Sequence, residues 1–361
     1  MAVIIRVYFV FYTGFGWQGC DTQMYLKMGH AILAKKPVSY FPNGFPLLIA
    51  LVILVAGAKA KAVLVIINIA AQIITLFITE RVLFKAGINK TVVIVAVFLS
   101  AFYPDQVSSV RFIMTEPLSA FLMMLAVYLI FKERYYTAGL AAYITYSFRP
   151  SLIFFAPVII LYLLLKYENY NAAKITSGFI TGFVLFKTSE ILGLTAPLGS
   201  STQNILIAVQ SYGYNINFFT NNYTNYQIEH PVATYLNFAF MHPIKYMEQR
   251  LLVLWSLWGP YVPTKLGLLS NILKGLRFPL FITAFFTFIY RNKFNKNFIF
   301  ILFAPVLSLT IIHILFFADP RHTLTAEPFV ILLAVYGLNK LLAYIKLKTK
   351  NLNGLSEASR N

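Results

Sequence analysis

Charge is scarce in this chain of 361 residues. Asp, Glu, Lys and Arg together make up 12%, about half the share carried by a soluble globular domain, so an ordinary water-wetted surface is excluded. Aspartate is limited to Asp21, Asp105 and Asp319. The single cysteine, Cys20, excludes an internal disulfide and a cysteine-based metal cluster, and reads as a free core thiol. The five histidines, His30, His230, His242, His313 and His322, have no ligand spacing. His-Glu-x-x-His, a calcium-loop carboxylate array and Gly-x-x-x-x-Gly-Lys are all missing, so neither a divalent metal nor nucleotide hydrolysis is indicated. No repeat of roughly 20–50 residues is evident. Met1 to Phe15 has neither a charged leader nor a small-residue cleavage site, and reads as a first span rather than a cleaved signal.

What the chain has in abundance is apolar surface: 59% hydrophobic residues, with 34 Phe and 23 Tyr. Apolar runs recur throughout, bounded by Lys, Arg, Asn or Pro, as expected when hydrocarbon is the solvent. The expected class is an all-α, polytopic membrane protein of about ten transmembrane helices. The runs are 1–15, 62–79, 91–103, 117–131, 136–148, 151–165, 175–193, 278–290, 298–318 and 323–345. Two more, 44–58 and 251–264, could span, re-enter or lie in the interface.

Charge chooses between these possibilities. The net +18 suits membrane orientation and anionic headgroups; there is no soluble basic domain that would suggest nucleic acid. Basic clusters at Arg81/Lys85/Lys90, Lys132/Arg134, Lys166/Lys174, Arg291/Lys293/Lys296 and Lys340–Lys350 are expected on the cytoplasmic side. That assignment requires 44–58 and 251–264 not to cross, and puts Lys27, Lys35, Lys36, Lys59 and Lys61 outside, against the trend. Its consequence is that all three aspartates, with Arg111, Glu116 and Arg321, fall on the external face. Residues 1–345 form one membrane domain with external loops 16–61 and 194–274, and 346–361 form a cytoplasmic tail. The stretch 194–250, rich in Asn and Tyr, suits a folded loop at the headgroup level, either a structural lid or a sugar-binding surface. Asn222-Tyr223-Thr224 fits a glycosylation acceptor, a match too short to assign a compartment.

Four stretches can carry chemistry. Asp21, just past the first run, can take a proton from a hydroxyl or cap the helix that Met24, Tyr25, Met28 and Ala31 continue. Asp105 to Glu116 reads as a polar hinge in which Arg111 can pair with Asp105 or Glu116, Thr115 or Asp105 can cap, and Pro117 opens the next helix. Arg149-Pro150 interrupts continuous apolar sequence, where an arginine needs water, a headgroup or an anion. Near the last run, Asp319-Pro320-Arg321-His322 gathers a fixed donor fork and a titratable ring, followed by Glu327.

The order of these features resembles integral-membrane glycosyltransferases of the GT-C class, particularly the protein O-mannosyltransferase and lipid A aminoarabinose transferase superfamily. The elements that carry the resemblance are Asp21-Thr22-Gln23-Met24-Tyr25, Tyr40-Phe41-Pro42-Asn43-Gly44-Phe45-Pro46, Arg111 to Pro117, Arg149-Pro150, and Arg321-His322 with Glu327-Pro328. The resemblance implies an acid beside a Tyr in the first external loop, matched by Asp21 and Tyr25, and a juxtamembrane helix, matched by 44–58. The family often has Asp where this chain has Glu116, Lys-Gly-Pro where it has Arg149-Pro150, and Arg-Tyr where it has Arg321-His322.

The implied activity is inverting transfer of a sugar from a polyprenyl-phosphate donor to a hydroxyl on a surface glycan, lipid or protein. The lipid-linked sugar is a substrate, and no cofactor is implied. Asp21 is the expected catalytic group; Arg321, Arg149 and Arg111 meet the phosphate, Tyr25 or His322 holds donor or acceptor, and Glu116, Asp105 and Glu327 are secondary acids. The expected location is a bacterial inner membrane, with the site facing outward, in cell-envelope or lipopolysaccharide synthesis. The alternatives are a polymerase or ligase of lipid-linked polysaccharide, and a transporter.

Overall fold

The computed structural model describes residues 1–14, 19–36, 42–193, 230–259, 268–293, 295–315 and 320–358. Among these residues every regular element is helical. The helices are α1 (Ala2–Thr13), α2 (Gly19–Leu33), α3 (Gly44–Ala56), α4 (Ala60–Lys85), α5 (Lys90–Phe102), α6 (Pro104–Ser109), α7 (Glu116–Phe131) and α8 (Tyr135–Phe148). They continue as α9 (Phe155–Leu165), α10 (Asn169–Ile191), α11 (Pro231–Met241), α12 (Pro243–Trp258), α13 (Leu268–Gly275), α14 (Arg277–Ile289), α15 (Lys296–Leu315) and α16 (Glu327–Ala358). The Asn- and Tyr-rich stretch up to residue 229, with its glycosylation triplet, lies outside the described residues, as do 16–18, 37–41, Asp319 and the side chains of Cys20 and Arg321.

Boundaries follow local chemistry. At α5 the Asn89 side chain accepts from the backbone N–H of Thr91 at 2.9 Å, capping the helix start. α7 opens on Glu116-Pro117, placing negative charge and a residue without an N–H in the first turn. Neither Thr115 nor Asp105 caps with its side chain: Thr115 precedes α7 without a capping bond, and Asp105 sits inside the first turn of α6. α16 continues through residue 346 to Ala358, so the expected polar tail is a helical extension of the last run.

Three stretches, Gly44–Lys85, Lys296–Leu315 and Glu327–Ile345, are long and apolar enough to cross a membrane, and shorter apolar helices accompany them. α16 is buried on all sides from Phe329 to Tyr336, and it packs chiefly against α14, α15 and α5. Outward-facing residues are also apolar, including Leu54, Val55, Phe77, Phe98, Leu185 and Ile191, a surface suited to lipid rather than to water.

The two ends of the bundle differ chemically. At one end Lys85 donates to the carbonyl of Phe131, and Tyr162 and Lys166 donate to Asn297. Lys132, Arg134 and Arg291 lie in the turns beside these contacts. The other end holds the start of α7, the end of α8 and the turn 110–115, and there the buried carboxylates collect. We call these the basic and carboxylate ends.

This polarity gives the direction of the described parts of the two ambiguous runs. Gly44 packs against Ser147 and Phe148 at the end of α8, so α3 starts at the carboxylate end. In the third turn of α4, Asn68 donates to the carbonyls of Val110 (3.4 Å) and Phe112 (2.8 Å). The first turns of α4 therefore extend beyond that level, away from Lys85, and α3 joins them there through Gly57, whose φ of 52° favours glycine. Both ends of α3 lie on the same side. α12 behaves likewise: Arg250 and Trp258 both bond the last two turns of α15, and Gly259 accepts from Arg277 at the head of α14. Up to Gly259, the 251–264 run does not travel to the basic end.

α8 and α10 pack backbone to backbone. A Cβ at Gly139 would collide with the carbonyl of Ile175, and one at Gly178 with that of Tyr136. Gly139→Val and Gly178→Val should each lower stability by about 1–3 kcal/mol or more through overpacking. Gly275→Ala, where a Cβ meets open space, serves as the tolerated control. Thermal midpoints of the detergent-solubilised variants check this; three equal midpoints would refute the close crossing.

Candidate functional site

The first cluster joins three distant parts of the chain. α2 starts at Gly19, so Asp21 lies in its first turn instead of capping it. One helical turn on, Tyr25 faces inward, 9% exposed, with its ring edge-on to Phe45 at 5.0 Å. Phe45 in turn contacts Phe148, so α3 is wedged between the helix bearing Asp21 and the end of α8. Thr22 donates to the carbonyl of Ile113 at 3.4 Å, tying α2 to the turn before α7.

Glu116 and Arg149 meet beside this wedge. Arg149 Nη1 lies 3.0 Å from Glu116 Oε1 and 3.3 Å from the Thr115 hydroxyl. Glu116 is 4% and Arg149 8% exposed. The pair is incompletely satisfied, since Glu116 Oε2 and Arg149 Nε are buried without a hydrogen-bond partner. Tyr25 belongs to the same group. Burial, followed by the charge of Glu116, pushes its phenol well above the ordinary range, with Asp21 adding to the effect and Arg149 and the Thr115 hydroxyl opposing it.

Other expected site residues fall elsewhere at the carboxylate end. Arg111 pairs with neither Asp105 nor Glu116; its guanidinium lies over Phe112 at 4.6 Å and Phe9 at 5.6 Å. Asp105 instead pairs with Lys274 at 2.6 Å. Glu327, 3% exposed, accepts from Gln106 Nε2 at 3.0 Å and from the Thr323 hydroxyl at 3.0 Å. His322 stacks on His313 with ring centroids 4.3 Å apart. The turn 320–325 containing Arg321 packs on α7, and Gln106 reaches the carbonyl of Leu324 at 2.7 Å. The turns near 21, 111–116 and 321 thus share one end of the bundle, in two adjoining groups rather than one ring around Asp21.

A chain of amides runs through the second group. Arg6 Nε donates to Gln72 Oε1 at 2.6 Å; Gln72 Nε2 donates to the Gln106 main-chain carbonyl at 2.6 Å, with the Gln106 side-chain Oε1 at 3.5 Å; Gln106 Nε2 donates to Glu327. Both glutamines point their donors toward the carboxylate, so the guanidinium on α1 and the carboxylate on α16 are joined through oriented amides. Lys274, Arg250 and Arg277 complete this end. Arg250 donates to the carbonyls of Ile314 and Leu315, neutralising the end of α15. Sequence reasoning passed over Arg6, Gln72 and Gln106, though an arginine inside a 15-residue apolar run and polar residues inside 62–79 were visible signals.

No family model and no curated protein matches the chain. Among the described residues no group of His, Cys, Asp or Glu forms a metal site.

Two outcomes test the first cluster. Arg149→Gln or Glu116→Gln alone should cost about 3–5 kcal/mol, because each leaves a buried charge unpaired, and the double variant should recover much of that loss; additive losses in denaturation would disprove the pairing. Because the Tyr25 phenol is raised, the unfolded chain ionises first as pH climbs past about 10. Stability contributed by the neutral phenol is complete below that value and lost above it. Tyr25→Phe should therefore flatten the fall in stability between roughly pH 9 and 11, and an unchanged slope would place the phenol in water.

Proposed function

We propose that this protein is a polytopic membrane glycosyltransferase of GT-C type. It moves a sugar from a polyprenyl-phosphate donor to a hydroxyl acceptor at the carboxylate end of the bundle, with that end facing out of the cell. The observation that carries the reading is the convergence of the half-buried Asp21 on buried Tyr25, Glu116 and Arg149, with one donor on Arg149 and one acceptor on Glu116 left unpartnered. The order of motifs along the chain supports it, as does the pairing of an apolar outer surface suited to a lipid tail with a polar end suited to a sugar phosphate. About ten spans, with α2, α3 and α11 to α13 as juxtamembrane helices, fit the helix paths.

In this reading Asp21 accepts the proton of the acceptor hydroxyl. The freed oxygen forms a bond to the anomeric carbon from the face opposite the phosphate. The carbon–phosphate-oxygen bond breaks with its electron pair going to the phosphate, and the anomeric configuration inverts. A phosphate leaves readily when cations meet its developing charge. Arg321 serves this purpose first, and Arg149 contributes through Nε, since Nη1 is engaged by Glu116. The acid required by a poor leaving group is dispensable, which suits a cluster with one exposed-side carboxylate and one already committed to an arginine.

Asp21→Asn should leave folding and membrane insertion intact and reduce transfer to donor-labelled product by at least about a hundredfold, the usual scale of a lost general base. Arg321→Ala should weaken donor binding or slow transfer at limiting donor. Wild-type turnover in purified Asp21→Asn would remove the proposed base. Comparing lipid-linked sugars and surface glycans with and without the gene by mass spectrometry identifies donor and acceptor together.

A further inference from the structure

Between α1, α4, α5 and α16 lies a small cavity of about 10 Å3. Its polar lining comes from Arg6, Gln72, Thr75, Thr79, Ser100 and Gln106. Two of these side chains are orphans: Thr79 Oγ1 and Ser100 Oγ are buried and make no hydrogen bond, although Thr79 is 0% and Ser100 5% exposed. The rest are engaged. Arg6 gives Nε to Gln72 and Nη1 to the carbonyls of Ala2 and Ala101; the amides of Gln72 and Gln106 serve the chain toward Glu327; and the Thr75 hydroxyl donates to Ala71, keeping a lone pair free.

Two hydroxyls that can donate or accept, one spare lone pair and a dry apolar surround describe a receptor for a small polar ligand. Leaving both hydroxyls unmade would cost each its full desolvation penalty. Arg6 has no ion-pair partner among the described residues, and its charge beside the cavity repels a cation. Size decides between the remaining ligands. A single water needs roughly 10–15 Å3 on this measure and two to four polar partners; the cavity just reaches that volume, and a halide is larger than water.

We propose that this cavity is a binding site for one structural water, held by Thr79, Ser100 and Thr75 at the head of the Arg6–Gln72–Gln106–Glu327 chain. The site lies outside the Asp21 cluster, and the inference does not depend on the transferase reading. The water completes the polar seam joining the first helix to the last, and its removal loosens that seam without touching either carboxylate.

The sign of a near-isosteric substitution tests this. Replacing an orphaned hydroxyl by a methyl group stabilises a protein, whereas replacing one that holds a water destabilises it. Thr79→Val and Ser100→Ala, made in the detergent-solubilised full chain, should each lower the thermal midpoint by about 2–4 °C. Because both grip the same water, the double variant should lose less than the sum of the two. A raised or unchanged midpoint in Thr79→Val overturns the proposal. Exchanging chloride for gluconate at fixed ionic strength should leave the wild-type midpoint unchanged; a drop would assign the cavity to an anion and overturn the water.

Discussion

A guanidinium withdrawn from water into an apolar bundle must be surrounded by oxygen atoms, and the architecture of the carboxylate end follows from how Arg6 meets that demand. Its partners come from α4 and from the carbonyl that ends α5, which fixes the first helix against both. Gln72 then has its amide turned toward α6, and Gln106 passes the same polarity on to Glu327 at the head of α16. One buried cation and one buried carboxylate thus orient five helices. The amides between them do in a low-dielectric interior what bulk water does at a surface.

The same economy of charge explains the neighbouring group. Glu116 at the start of α7 and Arg149 at the end of α8 are each too costly to bury alone, so the two helix ends are drawn together. Once they meet, α3 is seated by Phe45 against Phe148, and α2 is seated by Tyr25 against Phe45. Asp21 is placed by this succession of contacts. Its position is inherited from an ion pair formed some hundred residues away in sequence.

Much of the fold was legible because hydrophobicity and charge act over single helices. The apolar runs at 62–79, 91–103, 117–131 and 298–318 each match a helix, and the basic turns mark one end. Charge sidedness leads one to expect that 44–58 does not cross, and in the fold α3 begins with Gly44 against Ser147 at the end of α8. Partner choice was less legible. Arg111 had two acids nearby in sequence, yet Lys274 and Arg149 reach those acids across the fold, while Arg111 settles on aromatic faces. Local spacing ranks neighbours along the chain, whereas buried charge selects neighbours in space.

The two polar groups also differ in the hydrogen-bonding capacity they leave open. The glutamine amides of the seam are engaged in hydrogen bonds, so they have little capacity left for a ligand and suit the role of a rigid support. The Asp21 group is the reverse. Tyr25 and the Glu116–Arg149 pair are buried, but an acceptor on Glu116 and a donor on Arg149 remain open, and Asp21 is less enclosed than either. Unspent hydrogen-bonding capacity beside a supported frame is what an incoming sugar phosphate and hydroxyl would use. For that reason the proposed transfer is placed at the incomplete cluster rather than at the larger, better satisfied one.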